Sequence, residues 1–292
     1  MNELEKNITN LFKEQGKRWL NKLPEIIQVL ADKWQLTQIQ PADNMSWNYV
    51  AKAISNVHGL VVVKISCDKK LIHDELKALN HFNGHGMVKL FAHDTQHNAI
   101  LLKQAIPGKS LCSIYPDKVQ DVIDNYSAVV KCLISVRQQN HDDFKHISDW
   151  LKAFDRVDKN KLPDGLIEKI ILLKNELLAS RGKEFILHGD LHHENILSDG
   201  NNWIAIDPKG IVGEVVFEAA CFNFIDRTEI NNPNVPELFE LRIKLLSEKL
   251  GLDSERLKNW VLVRLILGAC WMVEDNGNPK DFIRLYNAVS GK

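Results

Sequence analysis

Three polar residues in the second half of the chain have the types and the spacing of a phosphoryl-transfer site. Asp190 is followed five residues later by Asn195, and Asp207 comes after a further pair of apolar runs. In kinase-type enzymes an aspartate orients the substrate hydroxyl, an asparagine five residues on holds magnesium, and a later aspartate bridges metal and phosphates. This order predicts that Asp190 is catalytic and that Asn195 and Asp207 are ligands of Mg²⁺.

The element that must position these residues is a predicted β-hairpin. Residues 195–198 and 203–206 favour strands, and the polar residues 199–202 between them contain an Asp-Gly pair, which is a strong turn signal. A short loop before the hairpin exposes Asp190 and turns Asn195 toward the same cavity, while Asp207 follows the second strand. A His-x-Asp-x-x-x-x-Asn match is weak alone, and the hairpin with Asp207 strengthens it.

Two other interpretations of this segment compete with the catalytic one. His188, His192 and His193 beside Glu194 resemble zinc ligands, but adjacent loop histidines point in different directions and no Cys-x-x-Cys or His-Glu-x-x-His accompanies them. The aspartates and the asparagine are also ordinary turn residues. The agreement between loop and hairpin favours catalysis over both.

Composition predicts a globular protein without a nucleic-acid or membrane partner. The chain has 292 residues, 45% of them hydrophobic, which favours two lobes over one. A formal net charge of −1 with scattered Lys and Arg residues gives no support for nucleic-acid or membrane binding. The five cysteines are widely spaced and predict reduced thiols. Without a signal-peptide pattern or a run of about 18 apolar residues, a cytoplasmic location is expected.

The first third of the chain predicts a small sheet with a helical prefix and one internal helix. Residues 8–34 have helical periodicity, and Pro24 is expected to start a second helix. The predicted strands cover residues 45–54, 60–65, 88–92 and 99–103, with a turn at 56–59. The predicted internal helix covers residues 71–82, with Leu71, Ile72, Leu76 and Leu79 on its buried face.

Two charged residues in this region match a phosphate clamp. Lys64 follows three valines in a predicted strand, where a cation must either reach solvent or meet a phosphate. Glu75 lies on the next helix, as does the glutamate that holds the phosphate-binding lysine in kinases. Each residue alone is better explained as a surface residue; together, upstream of Asp190, they favour a nucleotide-binding role.

The expected phosphate-covering loop, residues 44–49, contains no glycine and no G-x-G-x-x-G pattern. Ser46 remains its candidate donor to a phosphate, whereas Trp47 and Tyr49 are as well explained as core or lid aromatics.

Residues 104–108 contain a Pro-Gly pair and predict a hinge after the last strand of the small sheet. From its position in a two-lobed kinase, we expect an adenine to hydrogen-bond backbone groups of residues 104–106, with Gln104 and Ile106 as candidate contacts. The predicted domains are therefore a nucleotide-binding lobe at 1–104, a hinge at 105–108, and a catalytic and substrate-binding lobe at 109–292. Helices are expected in the last of these near residues 117–140, 164–180, 235–250, 254–275 and 279–289.

The chain resembles the aminoglycoside phosphotransferase family, in particular its streptomycin 6-kinase and hydroxyurea kinase-like branch. The residues that carry the resemblance are 16–24, 33–34, 46–50, 102–108, 188–195 and 205–210. The Trp-Leu-x-x-Leu-Pro prefix and the Ile-Asp-Pro-Lys-Gly segment are its more specific parts, because choline, fructosamine and homoserine kinases share the His-Gly-Asp loop.

The resemblance implies an α+β, two-lobed protein-kinase-like fold, with a small antiparallel sheet lobe that has a helical N-terminal prefix and a larger, mainly helical lobe. It further implies ATP, or GTP, with Mg²⁺, and transfer of the γ-phosphoryl group to a hydroxyl of a small molecule. Glu214 and Glu218 then correspond to residues that brace the catalytic loop, although relatives often carry Asp in place of Glu218. Lys209 either faces a phosphate or packs outward.

A cationic acceptor such as streptomycin would require carboxylates and aromatic faces. Trp271, Glu274 and Asp275 at the end of an apolar helix are candidates. For any one of these residues, a core tryptophan followed by a solvated acidic helix end is the simpler explanation. A second candidate patch contains Asp226, Arg227 and Glu229.

Three functions therefore remain: an aminoglycoside or hydroxyurea kinase that could confer antibiotic resistance, a metabolic kinase for a sugar or amino alcohol, and a nucleotide-binding pseudokinase. The intact set of Lys64, Asp190, Asn195 and Asp207 argues against the last. Whether the protein is a monomer or a dimer is left open.

Overall fold

The computed structural model describes residues 3–43, 45–138 and 140–291. The chain forms two compact units, of which the first combines Met1–Gly108 with Ser198–Ile206 and the second combines Lys109–Leu197 with Asp207–Lys292. The sequence analysis assigned all of residues 109–292 to one lobe, whereas residues 198–206 of the predicted hairpin fold with the first unit. The Nζ of Lys103 lies 2.6 Å from Oδ2 of Asp199, and the Val88 N–H donates to the Ala205 carbonyl at 2.8 Å.

The first unit is built on a five-stranded antiparallel sheet in the order β1-β2-β3-β5-β4. Its strands are β1 (Leu36–Pro41), β2 (Asn48–Ser55), β3 (Gly59–Ser66), β4 (Leu90–Asp94) and β5 (Ala99–Lys103). The four predicted strands are present, but the first begins at Asn48 rather than at residue 45. Strand β1 was not predicted, because its Leu-Thr-Gln-Ile-Gln-Pro sequence is mostly polar and lies at the sheet edge with little burial.

The N-terminal prefix is helix α1 (Glu3–Trp34), and its break differs from the prediction. Pro24 lies inside the helix and does not start a new one; the backbone instead leaves helical geometry at Lys13, with φ 50° and ψ −127°. A Cβ on Gly16 would lie 2.5 Å from the Ile8 carbonyl oxygen, so glycine is required where the segment before Lys13 meets the rest of the helix.

Helix α2 (Lys69–Phe82) packs on the sheet and confirms the predicted internal helix. Asp68 caps its start by accepting hydrogen bonds from the N–H groups of Lys70 and Leu71. Ile72 and Leu79 are buried as predicted, but Leu71 is half exposed and was wrongly assigned to the core face.

The second unit is mainly helical. All five helices expected there are present, as α3 (Val119–Ser135), α6 (Leu166–Ala179), α8 (Val235–Leu250), α9 (Ser254–Glu274) and α10 (Lys280–Val289). Three short helices were not predicted, namely α4 (Ile147–Leu151), α5 (Ala153–Arg156) and α7 (Val215–Ala219). Large side chains such as Trp260, Tyr126, Phe217 and Phe239 fill the core of this unit. No helix in the described part of the chain is long and apolar enough to cross a membrane.

Two small sheets complete the fold. Strands β7 (Lys145–His146), β8 (Glu184–Leu187) and β11 (Ile211–Glu214) form one in the order β7-β11-β8. Strands β6 (Pro107–Ser110), β9 (Ile196–Asp199) and β10 (Asn202–Ala205) form the other in the order β10-β9-β6. Pro107 and Gly108, predicted to interrupt regular structure, therefore begin a strand.

Candidate active site

The loop that carries Asp190 leaves strand β8 at the same sheet edge where the segment carrying Asp207 enters β11. Strand pairing places Ile211 opposite Leu187. One residue beyond β8, the His188 carbonyl accepts hydrogen bonds from the backbone N–H groups of Lys209, at 2.8 Å, and of Gly210, at 3.3 Å. The sheet register thus brings the two predicted catalytic segments to one edge.

Gly189 fixes the backbone immediately before Asp190. Its φ of +90° lies in the left-handed region, and an added Cβ would meet Ile211 at 3.0 Å and the Trp150 ring at 3.2 Å. A side chain at this position would therefore be both strained and crowded. The Asp190 side chain remains about one-third exposed, with 37% of its surface accessible, so a rigid, enclosed glycine presents an accessible carboxylate.

The buried side chain of Glu218 and the partly buried side chain of Arg264 hold the peptide groups on both sides of Gly189. Its N–H donates to Oε2 of Glu218 at 3.0 Å, and its carbonyl accepts from Nη2 of Arg264 at 3.3 Å. Burial raises the pKa of Glu218 to about 7, against the opposing effect of the Gly189 hydrogen bond. Glu218 thus has the bracing position expected from sequence.

Arg264 was missed by the sequence analysis. It lies within the apolar run of α9, with its guanidinium 4.6 Å from the centre of the Phe217 ring. A cation inside an apolar helical run must either extend to solvent or find polar partners, which was the signal that could have revealed it.

The predicted metal ligand Asn195 is hydrogen-bonded to the catalytic loop. Its Nδ2 donates to the Asp190 carbonyl at 2.8 Å and lies 3.2 Å from Nε2 of His192. A carbonyl oxygen only accepts hydrogen bonds, so the amide nitrogen must occupy this side. The amide oxygen Oδ1 is consequently the atom of Asn195 oriented for a cation.

Asp207, the second predicted metal ligand, lies two residues after the end of strand β10 and has a φ of +60°. Its Oδ2 lies 2.9 Å from Nζ of Lys209, and about one-third of each side chain is exposed. An amide oxygen and a carboxylate are hard oxygen donors, which fit Mg²⁺.

The described residues contain no cluster of three or more His, Cys, Asp or Glu side chains suited to a metal. His193 is buried between Tyr115 and Phe222, and burial lowers its pKa to about 3. It is a neutral packing residue.

The predicted clamp residues form an ion pair within the first unit. Nζ of Lys64 on β3 lies 2.7 Å from Oε2 of Glu75 on α2, and both side chains are less than one-tenth exposed. Buried charges need a partner of opposite sign, and this pairing satisfies that requirement for both.

The phosphate-covering loop is only partly described, because Asn44 lies outside the described residues. The backbone carbonyl of Ser46 accepts a hydrogen bond from Nδ2 of Asn7 in α1 at 3.0 Å. Trp47 is exposed and Tyr49 is buried, so the two aromatics of the loop differ in environment. The N-terminal helix therefore supports a loop that has no glycine.

The predicted adenine segment has fewer available backbone groups than expected. The Ile106 N–H donates to Oδ1 of Asp199 at 3.3 Å, and its carbonyl accepts from the Gly200 N–H at 2.6 Å. The Gln104 N–H donates to the Leu60 carbonyl at 3.2 Å. The backbone of Ile106 is thus committed to the hairpin, which argues against its predicted contact with a base.

The acceptor candidates on α9 differ in their surroundings. Trp271 is half-buried and its ring contacts that of Trp150 edge to face, with centroids 5.5 Å apart. Oε1 of Glu274 lies 3.2 Å from Nε of Arg156, and Asp275 is exposed at the helix end. Trp150, which also touches Gly189, links this end of α9 to the catalytic loop, and no sequence motif marked it.

The second candidate patch is structural. Glu229 accepts two hydrogen bonds from Arg242, at 2.6 and 2.7 Å, and Asp226 accepts from the hydroxyl and the N–H of Thr228. These carboxylates are already satisfied, so Asp226, Arg227 and Glu229 have no separate support as an acceptor site.

The fold and the site together define a phosphotransferase with protein-kinase-like architecture. The chain belongs to the aminoglycoside/hydroxyurea antibiotic resistance kinase family, whose model matches residues 33–276. It is 26% identical to streptomycin 6-kinase of Streptomyces glaucescens over 285 residues, covering 92% of this chain and 89% of that protein. It is 25% identical to hydroxyurea phosphotransferase of Kitasatospora aureofaciens over 268 residues, covering 89% of this chain and 76% of that protein.

Solved structures share the fold. Choline kinase LicA from Streptococcus pneumoniae superimposes with a TM-score of 0.66 at 13% identity, over 92% of this chain and 100% of that chain. A thermostable mutant of aminoglycoside phosphotransferase APH(4)-Ia, in ternary complex with ADP and hygromycin B, gives 0.61 at 12% identity, over 91% and 99%. The predicted family and fold class are confirmed.

Proposed function

We propose that the protein transfers the γ-phosphoryl group of ATP, with Mg²⁺, to a hydroxyl of a cationic aminoglycoside of the streptomycin type. The observation that carries the chemistry is the catalytic loop, in which Gly189 is enclosed, Asp190 is accessible and Asn195 is bonded to the Asp190 carbonyl. Phosphoryl transfer depends mainly on positioning and on charge neutralisation, and this loop is built for positioning.

In this proposal Asp190 accepts the hydrogen bond of the acceptor hydroxyl and orients its oxygen toward the phosphorus. Oδ1 of Asn195 and the carboxylate of Asp207 would hold Mg²⁺, which supplies positive charge to the phosphate oxygens. The hard oxygen donors and the fixed amide orientation of Asn195 support this assignment.

We assign nucleotide binding to the first unit. Lys64, held by Glu75, would contact the α- and β-phosphates, and Ser46 would donate to a phosphate. With Ile106 committed to the hairpin, the Gln104 carbonyl and the Ala105 N–H become the proposed contacts to the base. We assign the acceptor hydroxyl and its recognition to the second unit, alongside catalysis.

The aromatic pair supports a cationic acceptor. Trp271 packs on Trp150, which in turn contacts Gly189, so aromatic surface is continuous with the residue before Asp190. Guanidinium groups stack on tryptophan faces and pair with carboxylates. Asp275 is exposed and lies one turn beyond Trp271, whereas the charge of Glu274 is balanced by Arg156. A small neutral acceptor such as hydroxyurea would use little of this surface.

The test is acceptor-dependent ADP release, with mass spectrometry of the product. Streptomycin, hydroxyurea, sugars and amino alcohols are compared with ATP or GTP as donor, in the presence and absence of Mg²⁺. Streptomycin is expected to gain one phosphoryl group, and Asp190→Asn is expected to lower turnover by about 10²- to 10⁴-fold. Equal turnover by folded Asp190→Asn would overturn the chemistry, and turnover with another acceptor alone would overturn the substrate class.

A further inference from the structure

Lys209 lies beside a proposed metal ligand, and its side chain has no role in the proposed function. Its Nζ lies 2.9 Å from Oδ2 of Asp207. Its backbone N–H is bonded to the carbonyl of His188, two residues before Asp190. The position of this lysine is therefore fixed relative to both catalytic segments.

The pair has the wrong properties for a stabilising ion pair. The side chains of Lys209 and Asp207 are 35% and 34% exposed, and exposed pairs contribute only about 0–1 kcal/mol to stability. The chain contains deeply buried pairs for structural purposes, such as Arg242 with Glu229, in which the arginine side chain is 4% exposed. Accessibility at Lys209 instead suits a group that must meet a ligand.

The two ends of Lys209 are held differently. The hydrogen bond to His188 and the left-handed Gly210, with φ of +64°, fix its backbone. The side chain has four rotatable methylene carbons and ends in a compact charge, so Nζ can exchange one nearby oxygen for another without moving the main chain. A phosphate oxygen beside Asp207 lies within the reach of such an exchange.

We propose that Lys209 is a further catalytic residue, whose ammonium group binds oxygens of the transferred γ-phosphoryl once a metal–nucleotide complex engages Asp207. This inference rests on the proposed phosphotransferase function. Lys64 is almost fully buried and paired with Glu75, so it does not remove the need for a second cation at the γ-phosphoryl. Positive charge aimed at those oxygens lowers the barrier, because they share the negative charge of the transition state.

Phosphoryl transfer leaves Lys209 chemically unchanged. The acceptor oxygen forms a bond to the γ-phosphorus while the bond to the oxygen bridging the β- and γ-phosphates breaks. That electron pair leaves with ADP, and the hydroxyl proton passes to the carboxylate of Asp190. Lys209 keeps its proton and contributes charge and hydrogen bonds throughout.

The experiment compares Lys209→Met, which removes the charge at similar length, with Lys209→Arg, which keeps it. The control is Lys249→Met, which breaks a partly exposed pair with Asp124 of 2.6 Å, between residues to which we assign no part in catalysis. Turnover is measured with saturating ATP and Mg²⁺. We expect kcat to fall about 10²- to 10³-fold in Lys209→Met, to recover in part in Lys209→Arg, and to be unchanged in the control.

A second readout separates catalysis from support of Asp207. Binding of Mn²⁺ in the presence of ADP is titrated by electron paramagnetic resonance, without turnover. Removing a positive charge beside Asp207 should leave Mn²⁺ affinity unchanged or raise it by up to about tenfold. If Lys209 only positioned Asp207, the affinity and kcat would fall together.

Each possible result either supports or overturns the proposed role of Lys209. Low kcat with retained Mn²⁺ affinity supports the proposal, and wild-type kcat in Lys209→Met overturns it while leaving the proposed function intact. A parallel loss of kcat and of Mn²⁺ affinity also overturns it, in favour of a positioning role. If the wild-type protein transfers no phosphoryl group from ATP to any acceptor, the proposed function fails and the role of Lys209 fails with it.

Discussion

The catalytic loop and the C-terminal end of helix α9, which we propose binds the acceptor and call its acceptor end, lie in the same unit but are held in place very differently. Both peptide groups flanking Gly189 are hydrogen-bonded to side chains, one of them buried and one partly buried, and a Cβ at Gly189 would collide with its neighbours. At the end of α9, Glu274 and Asp275 are exposed, and Trp271 is half-buried. The backbone of the catalytic loop is therefore held by several contacts, whereas the side chains at the end of α9 are held by few.

This difference matches what each region has to do. Phosphoryl transfer requires the reacting oxygen to be positioned within fractions of an ångström, so the loop is fixed by redundant contacts. Acceptor recognition tolerates adjustment, and side chains at the end of a helix can change without disturbing a core. Substitutions in the loop should therefore affect kcat or folding, whereas substitutions at the end of α9 should affect KM.

The largest effect is expected from Asn195→Ala. This change removes both the proposed metal ligand and the hydrogen bond to the Asp190 carbonyl. We expect kcat to fall by about 10²- to 10⁴-fold and the Mg²⁺ concentration for half-maximal rate to rise. Steady-state kinetics at several Mg²⁺ concentrations measure both quantities.

The matched control is Asn160→Ala, because Asn160 is also bonded to a loop aspartate, Asp158, but is exposed and distant in sequence from the loop. It should leave kcat unchanged. A loss in Asn195→Ala confined to KM of the acceptor would contradict the division between the two regions.

The next largest effect should come from Gly189→Ala. Its φ of +90° disfavours any side chain, and the new methyl group would press on Ile211 and Trp150. We expect the free energy of unfolding to fall by about 1–3 kcal/mol and kcat to fall with it, because the Asp190 carboxylate is displaced. Denaturant unfolding and initial rates are the measurements.

Gly251→Ala provides the comparison for this prediction. Gly251 has a φ of +68° but open space around its Cβ position, so only the backbone strain is introduced. It should cost about 1 kcal/mol and leave kcat unchanged. Equal losses of stability in the two variants would mean that the packing around Gly189 is not restrictive.

Glu218, which holds the catalytic loop, should make the free energy of unfolding depend on pH. Burial raises its pKa to about 7 in the folded protein, above the ordinary value of 4.5 that applies on unfolding. Between these values the folded state binds more protons, so this group makes the free energy of unfolding decrease as pH rises from about 4.5 to 7. The decrease approaches about 1.4 kcal/mol per pH unit.

Glu218→Gln keeps an acceptor for the Gly189 N–H and removes the titration. Unfolding of both proteins is measured from pH 4.5 to 7.5, and the difference isolates Glu218 from other carboxylates, including Glu229, whose pKa is lowered by its bonds to Arg242 despite burial. The wild-type protein should lose stability relative to the variant across this window. Parallel pH profiles would show that Glu218 titrates normally.

Most residues of the candidate site could be predicted from local sequence patterns. The clamp pair Lys64–Glu75 and the order Asp190, Asn195, Asp207 depend on spacing across elements that follow one another in sequence and on the resemblance. The clamp ion pair and the bond of Asn195 to the loop are present in the structure. The helices of the second unit were readable from apolar periodicity.

The contacts that could not be predicted from the sequence depend on pairing between segments that are distant in sequence. Trp150 lies in the helix that follows β7, and β7 runs parallel to β11, a pairing between segments distant in sequence that places the Trp150 ring beside Gly189. The commitment of Ile106 to the hairpin likewise depends on Asp199. Periodicity gives the buried face of an element but not the element that covers it.

The smallest effect is expected at the acceptor end of α9. Trp271→Ala removes the aromatic face packed on Trp150, and KM for streptomycin should rise about tenfold with little change in kcat. Trp271→Phe keeps part of the face and should show a smaller increase. Glu274→Gln should change KM by less than about twofold, since Arg156 already balances its charge on an exposed surface.

Thermal unfolding of the three variants should be close to that of the wild-type protein, because Trp271 is only half-buried and Glu274 is exposed. A fall in kcat without a rise in KM for Trp271→Ala would mean that the tryptophan acts through Trp150 on the catalytic loop. The contact between Trp150 and Gly189 makes that route physically available, so the ratio of the two kinetic effects measures how independent the rigid and the adaptable regions are.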